Sequence, residues 1–146
     1  NSEEAPMRER TMGEMVRDQN PLTLGPDTTV AEACAAMYAR RVGAVLIVEP
    51  GNRLAGIFTG RDAVRCLAEG LDAKHTKLSQ VMTAGCITLK PEQHAMDALR
   101  LLSDCGFRHL PICRDGQVIG IVSRYDFRAR EQGRMDDESG FFEMIR

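Results

Sequence analysis

The chain carries one pattern twice. Gly56-Ile57-Phe58-Thr59-Gly60-Arg61-Asp62 returns as Gly120-Ile121-Val122-Ser123-Arg124-Tyr125-Asp126, at an offset of 64 residues. Upstream the match continues at an offset of 65: Val16 with Val81, Thr23 with Thr88, Leu24 with Leu89, Pro26 with Pro91, Ala33 with Ala98, Ile47 with Ile112 and Gly51 with Gly116. The one-residue slip falls in a turn, where an insertion costs least. Two like units in so short a chain imply a pseudo-two-fold pair with two related clefts between its halves, so the repeat constrains the architecture before any single residue does. Each copy spans about 55–60 residues, near the lower limit for folding alone, and the copies are expected to share a core.

The rest of the composition narrows the function classes. Hydrophobic residues make up 43% and charged residues 27% of the 146, as in a globular domain. A net charge of −2 gives general affinity for nucleic acid no electrostatic footing. The apolar run Val42–Val48 is far too short to span a bilayer, and Asn1–Arg10 is polar and charged, unlike a signal peptide. The expectation is therefore a cytoplasmic protein without membrane or specific nucleic-acid partners. The five cysteines (Cys34, Cys66, Cys86, Cys105, Cys113) are odd in number and lack a C-x-x-C pair, which reads as reduced thiols, most of them inside apolar stretches. His75, His94 and His109 have no metal-ligand spacing with them.

Along the chain, Met12–Val16 reads as one helical turn and Leu22–Leu24 as a short extended piece. Thr28 or Thr29 caps a helix whose inner face is Val30, Ala33, Cys34, Met37 and Tyr38, at helical spacing. Ala44–Val48 and Leu54–Phe58 form a hairpin about Pro50-Gly51-Asn52, and a helix follows from Arg61 to Glu69. The second copy repeats the order: Val81-Met82 as the short helix, Ile87–Leu89 as the first strand, and a helix over 93–104 with Ala95, Ala98, Leu99 and Leu102 inward. Leu110–Cys113 and Val118–Val122 then pair about Arg114-Asp115-Gly116, and a closing helix covers 123–131. The acidic tail 136–146 carries Phe141, Phe142, Met144 and Ile145, which suggests a short docking helix and, as apolar surface to hide, a homodimer. The fold class is α+β, with two β-α-β-β-α repeats at 12–75 and 76–135, a lead-in at 1–11 and a tail at 136–146.

Thr59-x-x-Asp62 and Ser123-x-x-Asp126 each stand before an apolar helical run. One reading is a capping box, which satisfies the free N–H groups of a helix start. The other uses the same geometry: a carboxylate in the first helical turn accepts hydrogen bonds from a ribose diol, and the helix N-terminus favours anions. Both readings stay open at the level of the motif. His109, Cys105 and Cys113 suggest no more than local packing, and neither a serine elbow nor a P-loop lysine occurs, so the chain reads as non-enzymatic.

The two strand-end patterns, each preceded by a helix and hairpin at the same distance, resemble the cystathionine-β-synthase (CBS) domain, which occurs in tandem pairs. The resemblance covers roughly residues 12–131. It implies two repeats packed as a pseudo-two-fold sandwich, often a homodimer, serving as a regulatory module. It also implies an adenosine-containing ligand such as AMP, ADP, ATP or S-adenosylmethionine, an adenine nucleotide acting as regulatory ligand with no cofactor required.

Carried over by position, the resemblance places Asp62 and Thr59 on the ribose of a first cleft, with Ile57 beneath the base. Thr83, Cys86 and Ile87 edge the base, Phe107 and Arg108 close the cleft, and Arg61 with Arg108 meets phosphate. The second cleft takes Asp126, Ser123 and Ile121, a base edge of Asp18, Pro21 and Leu22, and a lid of Val42 and Gly43. Gly43 stands where the first cleft has Arg108, so Arg41 or Arg124 would have to supply the cation there. Two rival readings remain: a structural dimerisation module with empty clefts, and a thiol-based redox sensor.

Overall fold

The structure is a computed structural model that describes residues 10–104, 108–124 and 126–127. Its elements follow in chain order as α1 (Met12–Met15), β1 (Thr23–Leu24), α2 (Val30–Arg40), β2 (Ala44–Glu49), β3 (Arg53–Thr59), α3 (Gly60–Ala68), α4 (Leu78–Val81), β4 (Thr83–Ala84), α5 (Ala95–Asp104), β5 (His109–Arg114) and β6 (Gln117–Ser123). They fall into two compact units that do not run consecutively along the chain. Of the described residues, one unit holds 21–86, and the other holds 10–20 together with 87–127.

In the unit of residues 21–86, β1 pairs parallel to β2, β2 antiparallel to β3, and β3 antiparallel to β4. Thr29 rather than Thr28 caps α2: its Oγ1 accepts the Glu32 N–H, and Glu32 accepts the Thr29 N–H in return. Val30, Ala33 and Met37 of α2 pack with Val45, Ile47, Phe58, Cys66 and Leu78 in one buried cluster. Tyr38 departs from the expected inner face and is 86% exposed, because the helix ends within two residues of it and the apolar stripe turns out to water.

The other unit repeats this plan with shorter pieces. The β5–β6 hairpin carries a register shift between Ile112 and Cys113, matching the shift between Ile47 and Val48 in β2. The residues between the paired ends are Pro50-Gly51-Asn52 in the first hairpin and Asp115-Gly116 in the second, so the extra residue of the first copy lies in its turn. Leu89 pairs parallel with Ile112, the register that Leu24 keeps with Ile47, but Ile87–Leu89 forms only this single bridge and not the expected strand. Ala95, Ala98 and Leu102 face inward as expected, with Leu99 at the margin. They cluster with Met12, Met15, Val16, Leu110, Ile112, Val122 and Phe127. Among the described residues each unit thus holds one such buried cluster of its own.

The exchange of segments explains why each copy is incomplete alone. Arg10–Gly13 bonds to the second copy through Met12 N–H to Gln93 O at 2.7 Å, Gly13 N–H to Pro91 O at 2.9 Å and Ala95 N–H to Arg10 O at 2.9 Å. Residues 76–79 bond back to the first copy through Val30 N–H to Thr76 O and Leu78 N–H to Thr28 O, both at 2.8 Å. Arg124, Asp126 and Phe127 are helical as expected; the remainder of the closing helix and the apolar tail lie outside the described residues.

Candidate functional site

The capping motif at the start of α3 forms as the spacing requires. Thr59 has extended backbone, so its N–H and hydroxyl both donate to Asp62 Oδ2, at 2.9 and 3.0 Å, while the Asp62 N–H donates to Thr59 Oγ1 at 3.3 Å. Asp62 is only 18% exposed. Ile57, two residues before Thr59 on β3, is buried and stands opposite Thr83 of β4. Cys86 donates its S–H to the Thr83 carbonyl at 3.4 Å. One unit therefore gathers Ile57, Thr59, Arg61, Asp62, Thr83 and Cys86 about the end of β3. Arg61 is exposed in the first turn of α3.

Ser123 and Asp126 repeat the motif in the other unit: the Ser123 N–H and hydroxyl donate to Asp126 Oδ2 at 2.7 and 3.3 Å. Here the wall beside the strand is built differently. The Gln19 side chain takes the edge of β6, its Nε2 donating to Ile121 O at 2.9 Å and its Oε1 accepting Ile121 N–H at 2.7 Å. A side-chain amide thus does for Ile121 what the β4 backbone does for Ile57. Asp18, exposed at a positive φ of 61°, turns the chain so that Gln19 can reach. Substituting Gln19→Ala strips both bonds from a half-buried strand edge and should lower unfolding stability by about 2 kcal/mol, read from urea melts; an unchanged midpoint would mean water replaces the amide at no cost.

The other expected residues are placed as follows. Ile87 is exposed and lies in the same unit as Asp126, with Arg108, Ile121 and Arg124. Pro21, Leu22, Val42 and Gly43 belong to the unit of Asp62. Gly43 O accepts the N–H of Gly60 at 2.9 Å, and Arg108 O accepts that of Arg124 at 3.4 Å, so both lid positions are tied to the helix start of their own unit. Arg124 is committed elsewhere: its Nη2 donates to Leu102 O at 3.1 Å, near the end of α5. Phe107 lies outside the described residues.

Two residues went unread in the sequence. Gln19 carries no motif. Arg65 does carry a signal, the i,i+3 spacing from Asp62 on one helix face. Its Nη2 reaches Asp62 Oδ1 at 3.4 Å and the Val81 carbonyl at 3.0 Å.

Three of the described thiols are shifted away from the reactive thiolate form. Burial pushes Cys34, Cys66 and Cys86 up from the ordinary thiol value, with Cys66 adding to the shift at Cys34, so each holds less thiolate than a free cysteine. Cys105 lies outside the described residues. Among the described residues no three His, Cys, Asp or Glu side chains gather as a metal would require, and no helix is long and apolar enough to cross a membrane.

Residues 13–69 and 78–133 each match the CBS domain. The chain belongs to the CBS domain family. It is 42% identical over 115 residues to the CBS domain-containing protein CBSCBSPB2 of Arabidopsis thaliana, covering 78% of this chain and 21% of that protein. The chain therefore spans about a fifth of the length of that relative. Among solved structures, the CBS domain NE2398 superposes with a TM-score of 0.77 at 28% identity, covering 85% of this chain and 98% of that one. The CBS domain pair of protein MJ0100, in complex with 5′-methylthioadenosine and S-adenosyl-L-methionine, gives 0.76 at 20% identity over 86% of this chain and 98% of that one. A CBS domain protein of Pyrobaculum aerophilum complexed with AMP gives 0.73 at 20% identity over 80% and 88%. At 20% identity these last two establish the fold they share with this CBS pair.

Proposed function

We propose that this CBS pair is a regulatory module that binds an adenosine-containing ligand through Thr59–Asp62, Ser123–Asp126 or both. CBS-domain proteins are generally regulatory rather than catalytic. The observation that carries the reading is the duplicated acid: each unit holds a half-buried carboxylate at a helix start, bonded by the hydroxyl residue three positions before it and set beside a walled strand end. Such a group accepts a ribose diol, and the adjoining N–H groups suit phosphate. Two proteins of the same fold carry AMP or S-adenosylmethionine, which supports an adenosine compound here. A ligand shifts the state of the pair only by its difference in affinity between the two states.

In a thermal-shift panel of AMP, ADP, ATP, S-adenosylmethionine and NAD, at least one compound at about 100 times its Kd should stabilise the fold by about 2.7 kcal/mol. A panel with no response contradicts the reading and favours a structural module with empty clefts.

The module is further proposed to act as a homodimer. Val64 and Leu67 lie on one face of α3 at 61% and 81% exposure, and Tyr38 of α2 is more exposed still. Exposed apolar side chains that neighbour one another, as Val64 and Leu67 do at i,i+3, favour a protein surface over water. Sedimentation at micromolar protein should give a dimer that Leu67→Lys weakens; a monomer for the unaltered chain contradicts this.

A further inference from the structure

The Asp62 carboxylate is nearly full. Its two oxygens offer about four acceptor sites. Oδ2 takes the Thr59 N–H and hydroxyl, and Oδ1 takes Arg65 Nη2. A ribose diol that donates both hydroxyls needs two sites, and about one remains. Thr59 is bound to its place by the helix cap, since its own Oγ1 accepts the Asp62 N–H. Arg65 is the partner that can leave: its bond to Asp62 is the long one at 3.4 Å, its side chain is 44% exposed, and it also holds Val81 O at 3.0 Å and Glu69 at 3.7 Å.

What Arg65 meets on leaving decides which ligand binds. A phosphate accepts the freed guanidinium in a charge-assisted, two-pronged bond. A neutral nucleoside offers no such replacement, and in S-adenosylmethionine the sulfonium and ammonium oppose what its single carboxylate offers the guanidinium. Arg61 and the N-terminus of the nine-residue α3 push in the same direction. The second copy differs at this point in sequence, because the residue at the offset of 64 from Arg65 is Ala129, which carries no charge.

We propose that Arg65 is the specificity-determining residue of the Thr59–Asp62 site, a latch on Asp62 Oδ1 that yields to a ribose diol and makes the site prefer nucleoside phosphates over neutral or sulfonium adenosine compounds. This rests on the adenosine-ligand reading above. The latch is assigned to the Thr59–Asp62 site alone, since the position three residues after Asp126 is an alanine.

The test is titration calorimetry with AMP, adenosine and S-adenosylmethionine on the whole chain, with Asp126→Ala silencing the second site. With Arg65 present, AMP should bind tighter than adenosine by roughly tenfold or more, and S-adenosylmethionine should bind no tighter than adenosine. Arg65→Gln should bring AMP and adenosine within about threefold, and adenosine should bind as well or better once Oδ1 is open. Equal losses for both ligands would mark Arg65 as merely structural and overturn the proposal, as would an unchanged ratio. Should Arg65→Gln fail to fold, salt serves instead: the ratio of the chain with Arg65 should shrink between about 20 mM and about 500 mM salt. A ratio near one at low salt overturns the latch with no variant needed. Binding of none of these compounds to the unaltered chain overturns the adenosine reading, and the latch falls with it.

Discussion

Replacing Gly120 by alanine should lower the unfolding stability by about 3 kcal/mol, near the upper end for overpacking. A Cβ at Gly120 would lie 2.4 Å from Val16 Cβ and 2.7 and 2.8 Å from its two methyls. Val16 is buried and β-branched, with few rotamers to escape into, and it caps α1, which two backbone bonds fix to residues 91 and 93. Neither side can give way. The second substitution shows the cause: Val16→Ala leaves the 2.4 Å Cβ contact in place and should rescue little, whereas Val16→Gly removes it and should rescue more. Gly56 obeys the same rule in the other unit, where a Cβ would meet the Thr83 carbonyl and the Met82 sulfur, both at 2.7 Å. Chemical denaturation of the four proteins decides the matter; Gly120→Ala with the stability of the unaltered chain would show that the approach of α1 to β6 is looser than described.

Phe58→Ala should cost about 3–5 kcal/mol, the range for deleting a buried aromatic ring. Phe58 is fully buried in β3, paired in register with Val45 and packed in the cluster that joins α2, β2 and α3. The loss is a large share of the 5–15 kcal/mol that holds a typical protein together. It should also weaken any ligand binding at Thr59–Asp62, since Phe58 directly precedes the cap of α3. Val64→Ala, on an exposed position of the same helix, should fall within about 0.5 kcal/mol of the unaltered chain. A Phe58→Ala protein that melts within 1 kcal/mol of the original would show that this core repacks.

The residues that were legible in sequence are those whose roles are local. The turn that absorbs the one-residue slip, the caps at Thr29 and Thr59, and the buried faces of α2 and α5 follow from spacing and residue type, because hydrogen bonds within four residues decide them. Tyr38 misled because helical period says which stripe a residue occupies and not where the partner layer stops. β4 was unread because two residues hold no period. Ile87–Leu89 has the residues of a strand, but one bridge at Leu89 is all the pairing it makes. The exchange of 10–20 and 76–86 between copies is tertiary, fixed by backbone bonds to residues far along the chain. Gln19 was invisible for the same reason, since its partner is 102 residues away.

The glycine of each repeated pattern joins these two kinds of information. Gly56 and Gly120 head the repeated motif, and the structure gives them a reason: each lets a neighbouring segment press against the strand that leads into the helix bearing the acid. That close approach needs a residue without a side chain at the head of each motif.

The most direct test is calorimetric titration of AMP into the unaltered chain, Asp62→Ala, Asp126→Ala and the double variant. The account predicts saturable binding to the unaltered chain and a loss of about 100-fold at each altered site, the worth of two hydrogen bonds to a charged group. Both single variants should stay folded, at a capping cost of about 0.5–2 kcal/mol. Folded double-variant protein that binds AMP as tightly as the unaltered chain would contradict the account, because the ligand would then be held by something other than the two acids.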